Sequence, residues 1–408
     1  ILGWSDFYTM TISSSVTANT FGPIAGLLAY DSVNQRLFVS DPSNNRVMVF
    51  SVSSITNNEN ATYFIGQTSS SGNAANTTQS GLNLPGPLAY DSTNARLFVA
   101  DINNNRIMVF SVPSATNLTG INAVGVLGQS AYNTNASATS QSGLYLNKNQ
   151  AGANELRLNG NMDYDVTGQR LFVPDIANNR VLVFSVPVGF TNGENASNVL
   201  GQSGYNSSAP ATTHNGLGLP SGVTYDKING RLFVADGGFT PSTSNCRIMI
   251  FDASATGISN GENAEAVIGQ PTFTSHNCYV NDGFSGNGYS INGFYNSANN
   301  TYFDVQYYPD RIFQFNMIKI VTTSLPAGYT SQVYKQQIVV TAAQGTNQTY
   351  SIFSGSLPAG LTLNSSTGLI SGTPSGTGSS TFTVEADDNF SNGSVFFDRV
   401  TYTISVPS

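Results

Sequence analysis

Charge is scarce in this chain. Asp, Glu, Lys and Arg together make up 9% of its 408 residues, and the net charge is −8. A nucleic-acid surface needs clustered Lys and Arg against phosphate, so no nucleic-acid partner is expected. Histidine is scarcer still, with only His214 and His276. Two imidazoles exclude a three-His zinc site, and a His-based general acid and base pair requires both of their segments to converge. Long apolar runs are missing too: none reaches the ~18 residues that span a bilayer. The chain opens in a strand-like segment rather than a signal peptide, so Ile1 reads as a processed N-terminus. Asn, Ser, Thr and Gly stand where charge would. A hydrophobic content of 39% suits ordered cores rather than disorder, and the length suits two or three domains.

One stretch organises what is there, from Tyr90 to Phe110. It recurs at 30–50, 164–184 and 225–251, and in degraded form at 295–315. Asp31, Asp91, Asp165 and Asp226 each stand five residues before an arginine (Arg36, Arg96, Arg170, Arg231). A second acid follows five residues later at Asp41, Asp101, Asp175 and Asp236. A second arginine comes after it, at Arg46, Arg106, Arg180 and Arg247. The fifth copy keeps the frame but holds Asn296, Thr301, Gln306 and Arg311 in these slots. Self-similarity in a fixed frame marks a repeat architecture.

Each copy reads as three strands separated by short turns of Asp, Asn and Gly, residues that cap turns and tolerate left-handed backbone. A fourth strand follows a polar loop, at 63–67, 125–129, 198–202 and 266–270, each ending in Gly-Gln. The strands are apolar on both faces, as at Val47 to Phe50, so each sheet must be covered on both sides. Four-stranded sheets stacked face to face and repeated predict an all-β chain built as a β-propeller. Five in-frame copies predict five blades.

The motifs Leu-Pro-x-Gly-Val-x-Tyr-Asp, Arg-Leu-Phe-Val-Ala-Asp and Asn-Asn-Arg-Val-Met-Val-Phe resemble the NHL repeats that form propeller blades. The resemblance covers residues 1–316 and leaves six blades as the alternative, because NHL propellers often have six. It departs in period: the steps between Arg36, Arg96, Arg170 and Arg231 are longer than a bare NHL blade, so the excess must form loops. Residues 317–408 hold no blade motif. Their core, Leu-Pro-Ala-Gly-Leu-Thr-Leu (357–363) followed by Gly-Leu-Ile-Ser-Gly-Thr-Pro (368–374), resembles an Ig-like domain family of bacteria. That resemblance implies a β-sandwich, a spacer or adhesive unit in surface proteins.

The N-terminal Ile1, Leu2, Gly3 and Trp4 match the fourth-strand motif, while copy five ends without one. Residues 1–4 are therefore expected to complete the last blade. They can do so within the molecule, closing the ring, or in a neighbouring copy by strand exchange. Cys246 and Cys278 fall in segments expected on one rim of adjacent blades. A disulfide there is sterically sensible and implies an oxidising compartment; two unpaired thiols are the alternative. The long loops Thr68–Gly81, Ser130–Asn154, Ser203–Gly216 and Pro271–Asn287 are expected on the same side as the Asp-x-x-Asn-Asn turns, as a binding rim or as passive decoration.

NHL-like propellers include lyases and lactonases with metal or His sites near the central channel, and no matching constellation stands on the strands here. An enzyme is not expected, and the lyase or lactonase stays a remote alternative. The repeated pairs Asp41 with Arg46, Asp101 with Arg106, Asp175 with Arg180 and Asp236 with Arg247 read as structural, since an active site needs one special copy. As exposed pairs they would contribute roughly 0–1 kcal/mol each. Glu385, Asp387 and Asp388 form an acidic strand end that could hold Ca²⁺ or be a solvated turn; no other cofactor is expected. Eleven Asn-x-Ser/Thr triplets, a number a chain so rich in Asn, Ser and Thr reaches by chance, mark Asn60, Asn76, Asn117, Asn135, Asn195, Asn206, Asn299, Asn347, Asn364, Asn389 and Asn392 as glycosylation candidates. Two functions survive. One is an extracellular structural subunit that associates head-to-tail with copies of itself into a filament, sheath or surface layer. The other is a monomeric cell-surface adhesin presenting its loop rim to glycans, proteins or surface polymers.

Overall fold

The computed structural model describes residues 2, 15–22, 27–114, 116–146, 160–237, 245–254, 257–276, 290–306, 311–341, 345, 347–390 and 395–407. Ile1, Gly3, Trp4, Cys278 and Asn392 therefore lie outside the described residues. What is described is all-β, apart from single 3-10 turns at 42–44, 102–104 and 176–178. No described helix is long and apolar enough to cross a membrane.

Four antiparallel sheets of four strands follow one another along the chain. The first is β1 (Leu28–Asp31), β2 (Arg36–Asp41), β3 (Arg46–Ser51) and β4 (Tyr63–Ile65). The second is β5 (Pro85–Asp91), β6 (Arg96–Asp101), β7 (Arg106–Ser111) and β8 (Gly125–Leu127). The third is β9 (Asp163–Asp165), β10 (Arg170–Asp175), β11 (Arg180–Ser185) and β12 (Asn198–Leu200). The fourth is β13 (Gly222–Asp226), β14 (Arg231–Asp236), β15 (Arg247–Asp252) and β16 (Ala266–Ile268). A fifth sheet has three described strands, β17 (Ser290–Asn296), β18 (Thr301–Gln306) and β19 (Arg311–Asn316). All are simple meanders, and no described strand pairing joins the fifth sheet to the first.

The register explains the repeat. Asp31 opposes Arg36 at one end of the first hairpin, and Asp41 opposes Arg46 at the other end of the next. The same pairs recur at Asp91 with Arg96 and Asp101 with Arg106. At the second turn an asparagine takes the left-handed conformation, with φ of 52°, 48° and 52° at Asn45, Asn105 and Asn179. Asparagine tolerates that region better than most residues. In the fourth copy Cys246 holds it, at φ 47°.

Consecutive sheets share their cores, which is why both faces of each strand are apolar. Phe38, Val49 and Ile65 pack with Leu88, Val99, Met108 and Phe110 of the second sheet. Phe98, Val109 and Leu127 pack in turn with Leu171, Leu182 and Phe184 of the third. The pattern continues from third to fourth and from fourth to fifth. First strands neighbour first strands along this series, β1 with β5, β5 with β9, β9 with β13 and β13 with β17.

Beyond Asn316 come β20 (Lys319–Ile320), β21 (Tyr334–Gln337), β22 (Val340–Thr341), β23 (Asn347–Gly355), β24 (Leu361–Leu363), β25 (Leu369–Gly372), β26 (Gly378–Asn389) and β27 (Val395–Val406). The sheets β21-β25-β24 and β23-β26-β27 enclose one core of Tyr334, Ile370, Phe382, Val384, Tyr402 and Ile404. This domain docks on the fourth sheet through β27. Val395 N donates to Glu265 O (3.3 Å), and Arg399 N to Asn229 Oδ1 (3.1 Å).

Candidate functional site

The second set of ion pairs is where the polar loops meet the sheets. Arg46, Arg106, Arg180 and Arg247 hold Asp41, Asp101, Asp175 and Asp236 at 2.8, 2.7, 2.7 and 2.8 Å, with 0% exposure of every side chain in the set. This corrects the expectation of exposed pairs. The burial comes from the connecting loops, which fold over each guanidinium and are held by it. Arg106 donates through Nη2 to Thr78 O (3.1 Å) and Gly81 O (3.0 Å) of the preceding loop, and through Nη1 to Tyr132 O of the following one. Arg180 does the same with Ser140 O, Gly143 O and Tyr205 O. Each arginine thus ties one aspartate and two loops. Burial pushes the Asp101 carboxyl up to about 6 against the pull of Arg106, and raises Asp175 and Asp236 for the same reason.

The Gly-Gln that ends each fourth strand has a job that sequence reasoning missed. Gln67 Nε2 donates to Asn45 O and to Ala74 O, both at 2.9 Å, closing the loop on the turn. Gln129 and Gln202 repeat this with Asn105 and Ala136, and with Asn179 and Ala209. The glycine before each glutamine is left-handed, at φ 94° for Gly66, and a Cβ there would lie 2.9 Å from Asn45 O. Its recurrence in all four copies was the available signal. Loops and Asp-x-x-Asn-Asn turns do lie together: Asn45, Asn105 and Asn179 donate through Nδ2 to Asn73 O, Asn135 O and Ser208 O.

The other end of each sheet carries the first set of pairs, and these reach across to the next sheet. Arg96 is held by Asp91 at 2.8 Å and donates to Val186 O (2.8 Å) and to the Tyr164 hydroxyl (2.9 Å) of the third sheet. Arg170 donates to Ala253 O and to Tyr225 Oη of the fourth sheet in the same way. Arg231 breaks the series. It donates through Nη1 to Phe397 O of the C-terminal domain (2.7 Å), and through Nη2 to Tyr295 Oη and Asn300 Oδ1 of the fifth sheet.

A cleft of about 480 Å³ lies at this end, lined by Asp163, Tyr164, Asp165, Tyr225, Lys227 and Tyr295 among others. Asp163 opposes Phe172, the place that Ala29, Ala89 and Thr224 hold opposite Phe38, Phe98 and Phe233. It is the one acid among the described residues of that column, visible only when first strands are aligned across repeats. Burial pushes its carboxyl up to about 6. Both oxygens accept backbone N–H groups, from Tyr164 and from Tyr225 (each 2.8 Å), so Asp163 bridges β9 to β13. Burial also lifts Tyr164 and Tyr225 to about 12, far from proton exchange at neutral pH.

The remaining candidates are dispersed. Glu385 pairs with Arg399 at 2.5 Å, Asp387 accepts from Thr349 Oγ1, and Asp388 accepts from Gly345 N and Gln348 Nε2. Asp388 points to the opposite face of β26 from the other two, so the three do not converge on a Ca²⁺ site. No group of described His, Cys, Asp and Glu is arranged to hold a metal ion. His214 lies over the Phe273 ring (3.8 Å between centroids). Cys246 is buried, and no described cysteine is a free thiol. Of the glycosylation candidates, Asn60, Asn76, Asn117, Asn135, Asn195, Asn206, Asn299, Asn347 and Asn364 are exposed and Asn389 is half-buried.

Residues 317–407 match the family model described as "Putative Ig domain", so an Ig-like domain stands at the C-terminal end. No curated protein matches the chain. Among solved structures it is similar to the nidogen–laminin complex, at 12% identity and a TM-score of 0.40, over 72% of this chain and 75% of that one. It is similar to a protein of unknown function from Bacteroides thetaiotaomicron VPI-5482, at 16% identity and a TM-score of 0.41, over 73% and 60%. It is also similar to a putative 6-phosphogluconolactonase from Bacteroides uniformis ATCC 8492, at 11% identity and a TM-score of 0.42, over 96% and 89%.

Proposed function

We propose that this protein is a non-enzymatic, extracellular structural subunit that associates with copies of itself, its repeated sheets being blades of an NHL-type propeller. The observation that carries the reading is the end of the array. Strand β19 has no fourth strand among the described residues, and Ile312 on it is 68% exposed. An edge with no described partner, beside the exposed Phe294 and Ile312, is a template for another chain. The ion pairs support the same reading from the other side: their donors are used up on internal carbonyls, leaving the polar loops as a fitted surface rather than a reaction centre. The Ig-like domain, seated on Arg231, is a spacer fixed to the array.

An extracellular setting accords with a Cys246–Cys278 bridge, for which the repeat supplies a reason. Asn45, Asn105 and Asn179 each tie their turn to the loop that follows it, at Asn73, Asn135 and Ser208. Cys246 takes the place of that asparagine, and Cys278 follows it at a comparable distance along the chain. The covalent bond would replace a hydrogen bond that the other copies make. Negative-stain microscopy of the native material tests the function: the subunit reading expects polymers, and discrete particles at all concentrations favour the adhesin, whose glycan- or polymer-binding surface would be the loop rim.

A further inference from the structure

Each internal junction between sheets is built on one tyrosine. Tyr90, Tyr164, Tyr225 and Tyr295 sit on Phe38, Phe98, Phe172 and Phe233 of the preceding sheet, with ring centroids 5.7, 4.9, 5.1 and 5.5 Å apart. Their hydroxyls meet the Asp–Arg pair beneath, as Tyr164 does with Arg96. Tyr30 is the same residue of the first sheet, paired with Leu37 as Tyr90 is with Leu97. It has no described sheet before it: Tyr30 is 54% exposed and Leu28 beside it 57%, whereas Leu88, in the place of Leu28, is 3% exposed.

The outer half of that same face is covered, and covered in the manner of a junction. Leu2, Ala18 and Phe21 pack on Met48, Phe50 and Phe64. In the fourth-strand motif Leu2 stands where Ile65 stands, and Ile65 packs on the next sheet in the same way. Arg46 donates to Thr17 O and Thr20 O as Arg106 does to Thr78 O and Gly81 O. Residues 15–22 therefore lie where the connecting loop of a preceding sheet would lie. The place is prepared for a sheet of three strands that lacks its fourth.

The fifth sheet is such a sheet. Its far face carries Phe303, opposite Phe294 as Phe38 is opposite Ala29. Phe294 is 61% exposed and Ile312 68%, while Phe38, Phe98, Phe172 and Phe233 are fully buried. We infer that the first sheet of one copy receives the fifth sheet of another, with Tyr30 on the partner copy's ring at position 303 and Leu2 on the covered half of the same face. This deepens the self-association proposed above and rests on it. Because the two faces differ, the contact is heterologous, so it joins copies head to tail into a ring or an open filament rather than a two-fold dimer.

The experiment uses the full chain with Tyr30→Cys, Phe303→Cys or both, oxidised mildly and mapped by mass spectrometry. An equimolar mixture of the two single variants is expected to give a 30–303 crosslink between chains. The double variant at nanomolar concentration is expected to give none within one chain. An intrachain crosslink at that dilution overturns the inference in favour of ring closure. Polymers that persist without any 30–303 crosslink overturn the junction while leaving self-association standing; absence of polymers under every condition removes both. Ile312→Glu, at an exposed position, provides a second measurement. It is expected to weaken association by about tenfold or more with the melting temperature unchanged, and undiminished association overturns the inference.

Discussion

Arg106 and Arg96 stand at opposite ends of one sheet, each five residues after its aspartate, yet they serve different neighbours. Arg106 is fully buried and ties its own sheet to the two loops beside it. Arg96 is 6% exposed and ties its sheet to the next one. One belt makes the loops into a rim; the other makes separate sheets into an array. A charge used in every copy is thus a construction element, and the copy that departs from the series marks where the construction changes. Arg231 departs by taking a carbonyl from the Ig-like domain.

The comparison is broken most sharply by Arg106→Ala. Removing Arg106 leaves the fully buried Asp101 with only the Asn83 N–H and the Asn104 side chain, and three loop carbonyls without a donor, a loss of about 3–5 kcal/mol. Arg96→Ala is expected to cost about half as much, because Asp91 keeps the side chain of Asn94 and two turn N–H groups. Chemical denaturation of both variants checks the order; equal losses would mean that the two belts are equivalent. Arg231→Ala sharpens the comparison differently. It should free the Ig-like domain, seen as faster proteolytic cleavage near 317–319, with the first three sheets holding their hydrogen-exchange protection. Next comes the bridge: non-reducing peptide mapping should recover Cys246 joined to Cys278, and reduction should cost roughly 2–4 kcal/mol. Alkylation of both thiols in the native protein would remove it.

Strand frame and sheet order were legible in the sequence because they are local: Asp–Arg spacing, turn asparagines and strand alternation each act within a single repeat. The Ig-like domain was legible for the same reason, in one motif. Burial of the ion pairs was not, since it depends on loops distant in sequence folding over each arginine, as Ser140 and Gly143 do over Arg180. The glutamines were legible only as the ends of the fourth strands; their part in closing the loops depends on Asn45 O and Ala74 O standing beside Gln67. Asp163 and Tyr30 were hidden in another way. Asp163 stands out only against Ala29, Ala89 and Thr224 of the other copies, and Tyr30 only by the absence of a described preceding sheet, so a single copy read alone shows neither.

The smallest expected effect lies where the two parts of the chain meet. Glu265 faces Asp252 of β15, Arg231 of β14, and Glu385 and Arg399 of the Ig-like domain. Its Oε2 is buried without a hydrogen-bond partner, as is Oε1 of the nearby Glu262. Burial pushes both carboxyls up to about 7 from an ordinary 4.5, with Asp252 adding to the rise. A carboxyl raised in the folded state favours folding in its protonated form. Its contribution is complete below pH 4.5 and is lost as pH climbs through about 7. The seat of the Ig-like domain is therefore expected to be tighter at pH 5 than at pH 8. Glu265→Gln, which keeps the shape and removes the charge, should raise the melting temperature at pH 8 by roughly 1–2 °C and leave it unchanged at pH 5. A gain of equal size at both pH values would assign the effect to packing rather than to charge.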